Sequence, residues 1–294
     1  MLIFKTFLIK LPIIITAYFL VMCSAFSAEK VVYPIATKRE HDIEELLYIL
    51  INASEEKFGP CELTPFHENI NEAKIRYFIT HDLVFDIIWS SNTPDLEKHL
   101  IPIWHPIRKG LLGYRIFLIR KQDQPMFSSI RTIEDLKKLT VGQGRFWNDV
   151  KVFQANGIKV KTSMHYESLF DMVAKGRVDY FSRGFNEIFT EYKEHVVRLP
   201  NLNIERDILI YYPWPKFFYV SKKNPKLAKR LIYAFKRIKE NGKYEEWFLK
   251  HNKESIKKAN LPSRRLFTLD NPLFTKKELL NHINLWFDPL KQLQ

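Results

Sequence analysis

Three arginines, Arg115, Arg145 and Arg183, are the side chains best suited to grip another molecule, because a guanidinium offers a carboxylate two parallel donors. For each of them the competing use is an internal ion pair, with Asp149, Glu187 or Glu191 as the partner. Ser91 and Thr93, in Ser90-Ser91-Asn92-Thr93-Pro94, supply hydroxyl donors. The same pattern caps a helix, and Thr93 before Pro94 suits both roles. Trp89, Trp104, Trp147 and Trp214 provide aromatic walls for a ring or an aliphatic stem, with core packing as the alternative, favoured for Trp104. Gly142-Gln143-Gly144, with Trp147 beyond it, begins like a dinucleotide fingerprint but lacks the third glycine. It reads as a strand-to-helix turn whose backbone can approach a ligand.

Groups for covalent or metal chemistry are not arranged for it. The nine histidines form no His-Glu-x-x-His pair, and no Gly-x-Ser-x-Gly elbow or Walker loop occurs. Two cysteines, Cys23 and Cys61, cannot make a disulfide framework or a cysteine-rich zinc site. No catalytic residue, metal or cofactor is expected. The chemistry on offer is recognition.

A chain of 294 residues, 46% hydrophobic and 14% aromatic, can bury a real core in one large domain or two lobes. Its first 28 residues carry only Lys5 and Lys10, followed by an apolar run from Leu11 to Met22 and the small residues of Cys23-Ser24-Ala25-Phe26-Ser27-Ala28. That order is a secretory signal, with cleavage expected after Ser27 and a periplasmic destination. An uncleaved anchor over Leu11 to Ala28 is the competing reading. Cys23 as a lipidation site is disfavoured by Met22, where a small residue is needed. Charge is uneven: residues 221 to 265 hold 15 Lys+Arg against 4 Asp+Glu, while the rest of the mature chain balances. Export argues against nucleic acid as the partner of this basic stretch. Anionic lipid or a protein partner fits it, but a solvated helix face is preferred, because Leu227, Leu231, Ala234 and Phe235 form one apolar stripe and the basic residues the other.

The elements that must position these residues alternate. Val31 to Ile35 reads as a buried strand. Asp42 to Lys57 is helical, with Ile43, Leu46, Leu47, Leu50 and Ile51 on one face, and Gly59-Pro60 ends it. A strand over Cys61 to Phe66, a helix over Asn69 to Phe78 and a strand over Leu83 to Trp89 follow. This order implies a parallel sheet covered on both faces. Further strands are expected at Leu111 to Ile119, Leu139 to Val141, Lys159-Val160, Val178 to Phe181 and Tyr211 to Val220. Helices are expected at Thr132 to Leu136, Trp147 to Gln154 and Tyr166 to Lys175. From Ser263 onward the tail is long enough only for a packed helix or a partner contact.

Ile133-Glu134-Asp135-Leu136, Val141-Gly142-Gln143-Gly144 and Gly176-Arg177-Val178-Asp179 are followed by Phe217-Phe218-Tyr219-Val220-Ser221-Lys222-Lys223-Asn224-Pro225-Lys226-Leu227 and Glu240-Asn241-Gly242-Lys243-Tyr244. In that order and spacing, across roughly residues 30 to 255, they resemble the bacterial extracellular solute-binding proteins of family 3. The resemblance implies an α/β, two-lobe periplasmic-binding-protein-like fold (type II) with two hinge crossings, near His105 to Gly110 and Leu209 to Pro215. The second crossing is extended because Pro213 and Pro215 disfavour helix. It divides the chain into a signal peptide (1–27), a first part of lobe 1 (28–109), lobe 2 (110–211), and a completion of lobe 1 with basic C-terminal helices (212–294).

Ligand would lie between the loops that end the parallel strands, which nominates Tyr33, Trp89, Ser91 and Thr93 in one lobe and Gln143, Trp147 and Arg183 in the other, with Arg115 beyond the first crossing. Two departures matter. The arginine that clamps an amino acid's α-carboxylate in this family is replaced by Leu96, and the aspartate for its ammonium by Gly184. Arg115 and Arg183, closing from opposite lobes on one anionic group, are the expected substitutes. The leading expectation is a noncatalytic, monomeric binding protein for a small polar or carboxylated solute, serving an inner-membrane transporter or a sensor. The alternative is an enzyme on the same scaffold, similar to cyclohexadienyl dehydratases, with Glu187 as its acid. A lytic transglycosylase is similar only in its first domain.

Overall fold

The computed structural model describes residues 28–37, 40–68 and 70–288. The expected export signal therefore lies outside the described residues. Among those described, no helix is long and apolar enough to cross a membrane.

The first lobe is built on strands β1 (Glu29–Pro34), β2 (Cys61–Phe66), β3 (Ile87–Ser91), β4 (Leu100–Ile107) and β11 (Lys216–Ser221). β1 and β2 pair in parallel, and β11 runs antiparallel between β3 and β4. Asp86 stitches the two groups together: its carboxylate accepts from Val32 N at 2.8 Å and its own N–H donates to Val32 O at 2.9 Å. One face is covered by α1 (His41–Asn52), whose Ile43, Leu46, Leu47, Leu50 and Ile51 are buried as their spacing requires. On the same side lies α10 (Pro225–Glu240), started by an Asn224 cap and Pro225. Its Leu227, Leu231, Ala234, Phe235 and Ile238 are buried while Lys229, Lys236, Arg237 and Lys239 face solvent. Arg230 is the exception on the buried face, donating to the Gly59 carbonyl.

The second lobe's sheet has the order β12-β10-β5-β8-β6-β7. The strands are β5 (Tyr114–Arg120), β6 (Thr140–Gly144), β7 (Lys159–Ser163), β8 (Tyr180–Gly184), β10 (Ile208–Tyr211) and β12 (Arg265–Thr268), with β9 (Leu202–Ile204) beside β5. Its helices include α7 (Asp149–Ala155), α8 (Tyr166–Ala174) and α9 (Phe185–His195). β12 departs from the expected division, which gave all of 212–294 to the first lobe. It pairs in parallel with β10, Ile208 opposite Arg265. Four residues are too few for a period to appear in the sequence. The single strand expected over Tyr211 to Val220 is likewise two, β10 and β11, because Pro213 and Pro215 cannot donate to a ladder.

The two crossings touch. A β-carbon on Gly113 would strike the carbonyl oxygen of Tyr212, so only glycine lets the strands approach this closely. Ahead of it the first crossing is wound, with Arg108, Lys109 and Gly110 all in the left-handed region (φ 58°, 52° and 67°). One apolar cluster runs through both lobes, joining Ile43, Leu46 and Phe218 to Leu169, Phe170 and Phe185. Each lobe has a second cluster on its outer sheet face.

Candidate functional site

Ser90 to Thr93 leaves β3 at its carboxyl end, and α4 (Pro94–His99) begins there. Thr93 caps α4, its hydroxyl accepting from Leu96 N at 3.3 Å with Pro94 in the first turn. Leu96 then points away from any opening, into a core of Ile79, Phe85, Ile88, Phe217 and Tyr219. Ser91 lies opposite Lys216 at the end of β11. Tyr33 is fully buried, donating to Glu44 Oε1 at 2.7 Å, and burial pushes its phenol far above its usual range. Trp89 packs between Tyr33 and Phe218. Tyr33 and Trp89, expected at the ligand, thus belong to the buried core shared with Ile43, Leu46 and Phe218, because the ends of β1 and β3 are covered by α1 and β11.

On the second lobe the two arginines of interest are neighbours. β5 returns antiparallel to β8, placing Arg115 opposite Gly184 and Ile116 opposite Arg183. That one-residue offset sends the two guanidinium groups to opposite faces of one sheet. The clamp expected from opposite lobes is not what the fold builds.

Toward α7, Arg115 pairs with Asp149 at 2.7 Å, and Tyr212 donates to the same carboxylate at 2.7 Å. Toward α8 and α9, Arg183 makes a two-pronged pair with Glu191 at 2.7 and 2.6 Å and reaches Glu187 at 3.0 Å. Trp147, Phe181 and Tyr166 surround it, their ring centroids 5.0, 5.1 and 5.9 Å from the guanidinium carbon. Burial works against the charge on Arg183, but Glu187 and Glu191 overcome it and hold its pKa above the ordinary guanidinium value. The ion-pair alternative is therefore the arrangement seen for both arginines.

Gln143 and Ser182 sit side by side at the ends of β6 and β8, Gln143 Nε2 donating to Ser182 O at 3.3 Å. Trp147 is half-buried above Gly144, where any β-carbon would meet its ring at 2.7 Å. Trp104 stacks edge-on against Phe217 at 5.2 Å, in keeping with its core reading, and Trp214 is buried beside Tyr212. Arg145 is exposed.

Sequence reasoning missed the charged floor beside the hinge. Arg108 pairs with Asp42, and Lys216 with Glu40. Burial pushes Glu40 upward, yet the charge and hydrogen bond of Lys216 bring it below its usual carboxylate range. These partners are 66 and 176 positions apart, so no local pattern could announce them. A shallow pocket of about 590 Å³ lies elsewhere, between β7 and α8, lined by Lys161, Ser168, Asp171, Lys175 and Arg177. Among the described residues no cluster of histidine, cysteine and carboxylate side chains could hold a metal.

No protein-family model and no curated protein matches this chain. Solved structures do match its fold. An ancestral arginine-binding protein bound to arginine superposes with a TM-score of 0.50 at 18% identity, covering 76% of this chain and 97% of its own. The GluR0 ligand-binding core of Nostoc punctiforme in complex with L-glutamate gives 0.52 at 14% identity, covering 76% and 98%. A structure from work on glutathione import through GshT and the cystine importer TcyBC of Streptococcus mutans gives 0.52 at 15%, covering 76% and 95%. At these identities the likeness shows the fold.

Proposed function

We propose that this chain, which has the two-lobe fold of periplasmic binding proteins, is an exported, noncatalytic receptor for a small polar or carboxylated solute, presented to an inner-membrane transporter or a sensor. The observation that carries the reading is the architecture. Two α/β lobes are joined by adjacent crossings at residues 108–113 and 212–215, and strand-end loops from both lobes bear hydroxyl, amide and indole groups. Such a hinge closes when a ligand binds the closed form better than the open one.

Within that reading Ser91, the backbone around Thr93, Gln143 and Trp147 contact the solute. Arg115 and Arg183 act as fixed charges behind them, because a ligand carboxylate would have to displace Asp149 or Glu191 to be gripped directly. The structural neighbours named for arginine, glutamate and glutathione agree with a solute of this size.

A thermal-shift screen of the mature protein against amino acids, organic acids, peptides and cell-wall fragments tests the proposal. A ligand at a hundred times its Kd should add about 2.7 kcal/mol to stability and raise the midpoint accordingly. The hit should then be recovered unchanged after hours with the protein. No shift with any class, or conversion of the hit, overturns the proposal, and conversion would favour the enzyme alternative.

A further inference from the structure

The segment after α11 (Lys243–Ala259) does not simply finish the first lobe. It crosses between the lobes and back. Arg264 donates to the carbonyls of Glu205 (2.7 Å) and Ile208 (3.2 Å), and β12 then joins the second lobe's sheet. Leu269 is buried in that lobe's outer core, beside Ile210 and Tyr212. Asn156 and Asp270 exchange hydrogen bonds of 2.8 and 3.0 Å, and Asn271 donates to Pro213 O, on the second crossing, at 2.7 Å. Phe274, five residues past Leu269, is buried in the first lobe's outer core with Leu96 and Phe217. Thr275 and Lys276 hold to Glu97.

The chain then returns to the first crossing. Trp286 covers Gly110, where a β-carbon would lie 2.5 Å from its ring. Phe287 N–H donates to Lys109 O at 2.8 Å, and its carbonyl accepts from Tyr114 at 3.0 Å. Its ring lies 5.7 and 6.1 Å from Tyr114 and Phe185 of the second lobe and 6.0 Å from Phe248 of α11.

We propose that residues 264–288 form a strap that limits how far the lobes can open about the hinge. Leu269 and Phe274 are anchored in different lobes, and five residues of extended chain span at most about 17 Å. Opening that separates the two anchors further must pull an apolar side chain from its core. Phe287 adds a wedge that hinge rotation must also displace. A hinge of two crossings alone has neither restraint, so the strap narrows the range of open forms and sets how readily a solute enters.

Spin labels on Ile35→Cys and Phe146→Cys, exposed residues just after β1 and β6, report the inter-lobe distance in the full chain with Cys23 and Cys61 replaced by serine. Two strap variants are compared with the parent: Phe287→Ala, and an insertion of Gly-Ser-Gly between Asn271 and Pro272. The insertion removes no side chain, so it keeps the test sound if Phe287→Ala fails to fold. The strap predicts that each folded variant broadens the distance distribution of the ligand-free protein and adds a longer component. A distribution that superimposes on the parent's, or narrows, overturns it. The readout uses no ligand, so its result is separate from whether the cleft binds a solute.

Discussion

Arg183 shows why a residue chosen for its chemistry must be judged by its partners. Its side chain is 3% exposed and held by two carboxylates, so it is an internal ion pair before it is anything else. Arg183→Ala would leave Glu187 and Glu191 without that partner in a buried place, which typically costs roughly 3–5 kcal/mol. Urea unfolding of the ligand-free protein measures it, and a loss within about 0.5 kcal/mol would mean that the pair carries no structural weight. His105 offers a pH test. Burial, with Lys239 nearby, lowers its pKa from 6.5 to about 4, and its ring stacks on Phe235 at 4.7 Å. The unfolded chain therefore takes up this proton first. The contribution is complete above the unfolded pKa of about 6.5 and is lost as pH falls toward 4, in all on the order of 3 kcal/mol. His105→Phe should flatten that part of the stability profile relative to the parent, and parallel profiles would remove His105 as the cause.

At the scale of elements, the turn from β3 into α4 decides how the first lobe meets a ligand. Thr93 and Pro94 start the helix, and the helix phase then aims position 96 into the core. Leu96 is fully buried against Ile79, Phe85 and Phe274, so restoring the arginine found there in the family that the sequence resembles would not restore a clamp. Leu96→Arg should cost about 4 kcal/mol or more, because a charge would enter an apolar core with no partner. Its signature is a lower melting midpoint without tighter binding of any carboxylate; a stable variant with tighter binding would show that position 96 can reach the cleft. Asp135 is a milder case of local design. Lys138 and Thr132 pull its carboxyl below the usual range, and with Thr132 it closes a capping box at the start of the helix Ile133–Lys137.

For the whole molecule, the continuous cluster from Ile43 to Phe185 matters most. Two lobes joined only by two strands would be free to melt separately. Here α9 packs on α11, Phe248 and Phe287 bridge toward Phe185, and the strap ties the outer cores together. Unfolding of the ligand-free protein should therefore be one transition, with tryptophan fluorescence and far-ultraviolet circular dichroism giving the same midpoint and slope in denaturant. Two resolved transitions would show that the shared core does not couple the lobes. The basic face of α10 contributes little to this coupling, since Lys229, Lys236 and Arg237 point outward.

What the sequence determined by itself was whatever is local and repeated. The apolar stripes of α1 and α10, the Thr93-Pro94 and Thr132-Asp135 caps, and the proline break at 213–215 are written within a few residues of where they act. So is the alternation of strand and helix that makes each lobe α/β. The ordered motifs were enough to place the two-lobe fold. Tertiary structure alone decided the rest. A one-residue register between β5 and β8 put Arg115 and Arg183 on opposite faces of one sheet. Helix phase buried Leu96. A four-residue strand, β12, carried the tail into the other lobe. Each of these depends on which distant strand or core a short segment meets. Contact across a hundred residues leaves no period in the chain, so the charge partners of the cleft and the path of the strap emerge only once the lobes are folded.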